Sequence, residues 1–293
     1  MKDILVELSD ADMEKLAKIY ENHKTELPHL YSFFCNCLKA KKIGMTDFVR
    51  VYTLDDDSWQ VDGTFIASMP NHGHDIVLHS LDSTGKNLME ALTKTNRFKY
   101  LEDPARNFTL FYAVHENFYP KIRQLLAEQK HKLHEDEFFD ETLSLWVLEK
   151  EKAPKIPLDN QDVYVKHLQP QDLRIINENW KIRYPESEQK FLDFIKLSPS
   201  PGSGVYLKSN NQLVSWVVSS CFGQMTALQT LKQHKKKGYG SLVVKHMANS
   251  LAEAGFDCCG SVHLGNAASE GLITKLGFRK LFKCQYIAVY NKY

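Results

Sequence analysis

The chain has 293 residues, enough to bury a sizeable core in one domain or two. Apolar residues make up 43% and charged residues 25%, and 37 basic against 36 acidic residues speak against a dedicated nucleic-acid binder. No apolar run approaches the roughly 18 residues of a membrane span, so neither nucleic acid nor membrane is expected as a partner.

The opening MKDILVELSDAD is too acidic for a secretory signal or an ordinary transit peptide, which points to a cytoplasmic setting. Ser9-Asp-Ala-Asp12 reads as a helix start, followed by Met13, Leu16, Ala17 and Tyr20 at helical spacing. A second helix is expected from Pro28, with Leu30, Phe33, Phe34, Cys37 and Leu38 on one face and Gly44 at its end. Cys35-Asn-Cys37 lies inside that pattern with no second ligand pair nearby, so it reads as two helix residues and no metal is expected. With Cys221, Cys258, Cys259 and Cys284 they form a set of reduced thiols.

Strands are expected over 48–54, 64–69 and 76–80, then a helix near 86–94, a strand over 108–114, a helix near 117–129 and a strand over 142–148. Ser83-Thr-Gly-Lys86 lies between strand and helix but lacks the earlier glycine of a P-loop, and reads as a turn. Residues 151–162, charged and proline-bearing, are expected to link a domain of residues 1–150 to one of residues 163–293.

The second part repeats the order of the first. A strand over 163–167 leads to helices around 171–181 and 186–195, a loop over 199–204, and strands over 205–208, 213–221 and 225–231. A helix over 242–254, a strand over 258–264, a helix over 267–276 and a strand near 282–290 complete it. The repeat is one of architecture, with no obvious repeat of sequence.

HKKKGYGS, residues 234–241, joins the strand over 225–231 to the helix that follows. Read as K-x-x-G-x-G (Lys235, Gly238, Gly240), it is a candidate pyrophosphate cradle. Glycines let the main chain approach phosphate with no Cβ in the way, and a helix N-terminus adds partial positive charge. Lys235, Lys236 and Lys237 supply long-range attraction for a polyanion. A basic turn capping a helix is the alternative reading.

K-x-x-G-x-G after a strand, followed by NAASEGLITKLGF over 266–278, resembles the two acyl-CoA-contacting segments of the GNAT superfamily of N-acyltransferases. Within it, GQMTALQTLKQHKKKGYG over 223–240 resembles the glycine N-acyltransferase family, where a G-E-M-R-M run stands in the same place. The resemblance covers the C-terminal half well and extends faintly into the first. It implies an α/β (α+β) fold of two tandem GNAT-like halves, the N-terminal one degenerate, and an acyl-CoA or acetyl-CoA co-substrate. It also implies a small amine or amino acid as acceptor, and the vertebrate relatives it implies are mitochondrial.

Backbone groups of Lys236, Lys237, Gly238, Tyr239, Gly240 and Ser241 are the candidates for the pyrophosphate. Thr230 and Leu231, at the end of their strand, are candidates to pair with the pantetheine arm in strand fashion. Asn266 can hold the far side of that arm or cap a helix, and the two roles are compatible.

Acyl transfer needs a neutral amine, and an alkylamine is roughly 0.1% neutral at pH 7, so a general base helps greatly. The family's base, the glutamate of G-E-M, falls on Gln224, which accepts no proton. The superfamily's thiolate-protonating tyrosine falls on Ile273. His263 is the substitute candidate for the base and Ser269 for the proton donor, while Cys221 reads as a core thiol. Two functions therefore stand open: an acyl-CoA-dependent N-acyltransferase, and an acyl-CoA-binding or sensing protein with impaired catalysis.

Overall fold

The computed structural model describes residues 2–70, 75–97, 108–128, 132–133, 142–154, 161–181, 183–184 and 186–290. Its elements in the first part are β1 (Leu5–Glu7), α1 (Asp10–Asn22), α2 (Pro28–Lys42), β2 (Arg50–Leu54), α3 (Trp59–Asp62) and β3 (Phe65–Met69). β4 (Asp75–His79), α4 (Lys86–Lys94), β5 (Phe108–His115), α5 (Tyr119–Glu128), β6 (Lys132–Leu133) and β7 (Thr142–Leu148) follow. The second part begins with β8 (Val163–His167), α6 (Leu173–Asn179), α7 (Ser187–Leu197), β9 (Gly202–Leu207) and β10 (Leu213–Ser219). It ends with β11 (Gln224–Thr230), α8 (Tyr239–Glu253), β12 (Cys258–His263), α9 (Ala267–Lys275) and β13 (Arg279–Tyr290).

Local chemistry accounts for most of these bounds. Ser9 caps α1 by accepting from the Asp12 N–H at 3.1 Å, and Met13, Leu16, Ala17 and Tyr20 form its buried stripe. Gly44 stops the chain after α2 in a left-handed conformation, φ +79°. β1 is too short to show a period, yet it is what makes the first part match the second, since it stands where β8 stands. The loop expected over 199–204 is shorter than its sequence suggests. β9 begins at Gly202, because a Cβ there would lie 2.4 Å from the Val217 carbonyl oxygen, and only glycine lets the strands close. Of the expected linker, residues 155–160 lie outside the described residues.

The chain forms two compact units that are not contiguous in sequence. The first comprises Met1–Thr25, Cys37–Ser144 and Phe282–Tyr293; the second comprises Glu26–Asn36 and Leu145–Leu281. The second unit thus takes in the N-terminal part of α2, and the first takes in most of β13.

In the first unit the strands run β1-β2-β3-β4-β5-β13. Neighbours are antiparallel except β4 and β5, which are parallel with Ile76 opposite Phe111. Ile66, Leu78 and Phe111 of the sheet bury against Leu88 and Leu92 of α4 and Ile122 and Leu126 of α5.

In the second unit the strands run β7-β12-β11-β10-β9-β8. β8 to β11 are antiparallel, and β11 and β12 are parallel. Val205, Val214 and Val217 pack on Val243, Val244, Met247 and Leu251 of α8 and on Ile273 of α9. Each such side chain contributes about 1.5–3 kcal/mol by leaving water. Among the described residues no helix is long and apolar enough to cross a membrane.

Candidate functional site

The parallel pair β11–β12 is where the second unit opens. Its register covers only Gln224 opposite Cys259 and Met225 opposite Gly260. Beyond Met225, β11 stays paired to β10 on its other edge but not to β12. A bulge accompanies the divergence: Thr226 faces Val218 and Gln229 faces Trp216, so Ala227 and Leu228 together face Val217. Ala227 sits at φ +49°, unusual for a residue with a side chain.

Leu231 donates its N–H to the Val214 carbonyl at 2.9 Å, and its own carbonyl accepts from His234 N–H at 2.9 Å. Both backbone groups of Leu231 therefore have partners inside the protein. Alternation along the strand turns Thr230, opposite Ser215, the other way, toward the open side. Thr230 Oγ1 and Ser215 Oγ lie 2.8 Å apart, which fixes the Thr230 side chain on β10.

The glycine loop lies at that end of β11. α8 starts at Tyr239, so Gly240 and Ser241 belong to its first turn and Gly238, at φ +81°, is the cap residue without a side-chain cap. Leu242 N–H bonds the Gly238 carbonyl at 3.2 Å, which leaves the N–H groups of Tyr239, Gly240 and Ser241 ahead of the first intrahelical bond. Lys236 also takes a left-handed conformation, φ +63°. Such residues alternating in a short loop are how backbone N–H groups gather on one side.

Lys235, Lys236 and Lys237 are exposed, and none forms an ion pair with a described acidic residue. The Tyr239 side chain is buried in the α8 core, and its ring stacks on that of His234 with centroids 6.4 Å apart. A Cβ on Gly240 would lie 3.8 Å from both Thr230 Oγ1 and Leu272 Cδ2. The end of β11, the first turn of α8 and α9 thus meet at Gly240, with room left over.

At the other end of β11, about 20 Å away for seven residues of strand, Gln224 is buried, and its Oε1 accepts from the Ser261 hydroxyl at 2.7 Å. Met225 and Val262 pack on the α8 and α9 side of the sheet, so Gln224, Cys259, Ser261 and His263 share the opposite face. Burial pushes the thiols of Cys258 and Cys259 up, leaving both protonated and inert at neutral pH.

The turn leading into Gln224 is held by α2. Asn36 Nδ2 donates to the Cys221 carbonyl at 2.8 Å, and the Phe33 and Phe222 rings stack at 5.7 Å. Gly223, at φ +63°, sits so close to Ser32 that a Cβ would lie 2.3 Å from the Ser32 Cβ. Cys221 is fully buried in this turn.

The three catalytic candidates do not form one cluster. Gln224 and His263 share a face, whereas Ser269 lies on α9, which packs on the other. Asn266 caps α9, its Oδ1 accepting from the Ser269 N–H at 3.2 Å. Ile273, one turn beyond Ser269, is 2% exposed and part of the core. Ser261 and Ala227 carried no signal in the sequence, because a serine on a strand and an alanine at a bulge are ordinary residue types.

The equivalent place in the first unit is filled. Gly85, at φ +62°, caps α4 as Gly238 caps α8, but a Cβ there would lie 2.9 Å from two Phe118 ring carbons. Thr84 N–H bonds Asp82 Oδ1 at 2.9 Å, a plain turn as the sequence suggested. Among the described residues no group of three or more His, Cys, Asp or Glu is arranged to hold a metal.

Residues 202–287 match the family model described as FR47-like protein, and residues 4–125 match a domain of unknown function, DUF5645. No curated protein sequence matches the chain. A Drosophila protein solved by X-ray crystallography is similar over 99% of each chain at 18% identity, with a TM-score of 0.85. A GCN5-related N-acetyltransferase from Sphaerobacter thermophilus is similar over 98% of this chain and 96% of its own, at 8% identity and a TM-score of 0.57. A tandem GNAT protein from the clavulanic acid biosynthesis pathway is similar over 99% of each chain, at 8% identity and a TM-score of 0.53. At these identities the likeness is one of fold: the chain has the two-half fold of the GCN5-related N-acetyltransferases.

Proposed function

We propose that the chain is an acyl-CoA-dependent N-acyltransferase whose site is the opening between β11 and β12. The observation that carries this reading is the short parallel register, Gln224–Met225 against Cys259–Gly260, that opens toward an uncapped helix start. A strand edge left unpaired suits the amide groups of a pantetheine arm. A helix N-terminus with left-handed loop residues suits its pyrophosphate. Backbone N–H groups of Lys236 to Ser241 bind the pyrophosphate, with Lys235, Lys236 and Lys237 adding attraction. Thr230 pairs with the arm, Asn266 lies beside it, and Gln224 and His263 face the acceptor, a small amine or amino acid as in glycine N-acyltransferases.

Direct attack by the acceptor nitrogen on the thioester needs no covalent enzyme intermediate, and the buried thiols of Cys221 and Cys259 offer no nucleophile. The first half, whose equivalent turn is occupied by Phe118, is assigned no acyl-CoA.

Gln224 and Ile273 favour a second reading, an acyl-CoA-binding protein without turnover. Calorimetric titration with acetyl-, benzoyl- and long-chain acyl-CoA, alongside isotope-traced transfer to a panel of amines, separates the two. Binding with turnover supports the enzyme; binding without turnover for any pair supports the second reading. No binding of any acyl-CoA overturns both.

A further inference from the structure

Away from the β11–β12 opening, the edge of the second unit's sheet carries two histidines that the acyltransferase reading does not use. His167 ends β8, the last strand in that sheet's order, and stands directly opposite Ser203 of β9. Val163 and Val205 of the same strands pack on α8, so alternation turns His167 and Ser203 to that side too. From α8, His246 and Ser250, one turn apart, lie over them. The contacts cross between the layers: His246 Nδ1 lies 2.7 Å from Ser203 Oγ, and His167 Nε2 lies 3.5 Å from Ser250 Oγ. The two imidazole rings are 4.9 Å apart, centroid to centroid, with planes at 64°.

Each ring has one nitrogen held by the protein and one left for a ligand. His167 Nδ1 lies 3.3 Å from the Gly202 carbonyl oxygen, which only accepts, so Nδ1 carries the proton and Nε2 a lone pair. The Ser250 hydroxyl meets that lone pair at the long limit of a hydrogen bond. Ser203 can accept from His246 Nδ1–H, which puts the second lone pair on His246 Nε2. His246 Nε2 has no hydrogen-bond partner among the described residues and is not enclosed. A bond to the far ring nitrogen is what fixes tautomer and orientation in a metal-ligating histidine. Two imidazoles on one ion, each at about 2.0–2.1 Å, have centroids about 5 Å apart, close to the spacing found. Burial, helped by His167, holds His246 below the usual histidine range, and the neutral ring is the ligating form. Glu253, on the same flank of α8, brings a negative charge near the pair, which favours a cation.

We propose that His167 and His246 form a two-imidazole site for a late first-row divalent cation, of the Zn²⁺ or Cu²⁺ class, completed by water. Imidazole nitrogen selects such ions over Mg²⁺ and Ca²⁺, which take oxygen ligands. With two protein ligands the ion is exchangeable, and when bound it ties the edge strand β8 to α8. The site is independent of the acyl-CoA reading: His246 stands seven residues, about 10 Å of helix, beyond the start of α8 at Tyr239.

The test is calorimetric titration of the full chain at about pH 7.5 with Zn²⁺, Cu²⁺ and, as the oxygen-seeking control, Mg²⁺. One equivalent of Zn²⁺ or Cu²⁺ is expected to bind, and Mg²⁺ is not. His167→Gln and His246→Gln should each lower the affinity by more than about tenfold. Ser203→Ala keeps both ligands but frees the His246 ring, and should lower it by about tenfold. Lowering the pH to about 5.5 should weaken binding by about tenfold or more, because protons compete for the same nitrogens. Electron paramagnetic resonance of the Cu²⁺-loaded protein should show coupling to two imidazole nitrogens. No binding of Zn²⁺ or Cu²⁺, or affinity unchanged in either histidine variant, overturns the proposal. The Cu²⁺ spectrum of the unsubstituted protein decides it if a variant does not fold, since coupling to fewer than two imidazole nitrogens also overturns it.

Discussion

Ser261 donates its hydroxyl proton to Gln224 Oε1 across 2.7 Å, joining two parallel strands at the point where they begin to part. Gln224 is 3% exposed, so its carbonyl oxygen has little water to turn to. Removing the donor with Ser261→Ala should cost about 1–3 kcal/mol, the scale of a buried acceptor left unsatisfied. A lower urea midpoint at unchanged m-value reads this out. Ser261→Thr, which keeps the hydroxyl, should recover most of the loss.

Gly238 and Gly240 are separable by substitution. Gly238→Ala puts a side chain at φ +81°, and should cost about 1–2 kcal/mol although nothing lies within 4 Å of the new Cβ. Gly240→Ala meets only ordinary contacts at 3.8 Å within a helical turn, so the melting temperature should hold or rise slightly. Acyl-CoA affinity should fall with Gly240→Ala if phosphate approaches the backbone there. Unchanged affinity in Gly240→Ala would falsify the cradle.

Gly223 packs on Ser32 from the opposite end of the sequence. Gly223→Ala should destabilise by more than about 1–3 kcal/mol, combining a left-handed φ of +63° with a 2.3 Å clash. Adding Ser32→Gly should return the part due to the clash and leave the part due to backbone conformation. A double-mutant cycle by chemical denaturation yields the coupling, and additive costs would mean that the contact carries no energy.

Two histidines make stability depend on pH. Burial holds His115 in the first unit below the usual histidine range, and Asn117 N–H donates to its Nδ1 at 3.1 Å, which favours the neutral ring. Burial does the same to His246 in the second unit, helped by His167, whose ring lies 4.9 Å away. In the unfolded chain both rings take up a proton near pH 6.5. The stability they contribute is thus fully present above about pH 6.5 and lost as the pH falls through their depressed folded values. The urea midpoint should decline between pH 7 and 5, and His246→Asn should shallow the decline. A midpoint flat across that window would contradict the assignment.

Much of the architecture was legible because it is written locally. α4 over Lys86–Lys94 and β7 over Thr142–Leu148 follow from the period of their own apolar residues, and α1 from its capping serine. The repeat of element order was visible too, short of β1, whose three residues hold too little period to register. The glycine loop was readable from residue types at a fixed spacing, whereas the roles expected at Gln224 and Ile273 came only from what the resemblance implies.

What the sequence determined by itself is therefore the set of elements and the glycine loop between β11 and α8, properties of neighbouring residues. The tertiary structure decided the rest: that Leu231 bonds Val214 and leaves Thr230 to face the opening, that Ser261 holds Gln224, and that Ser269 lies on the other face from both. It also placed Asn36 on Cys221, 185 residues along the chain. Pairing and contact between distant segments depend on which surfaces fold together, and no local period or composition encodes that choice.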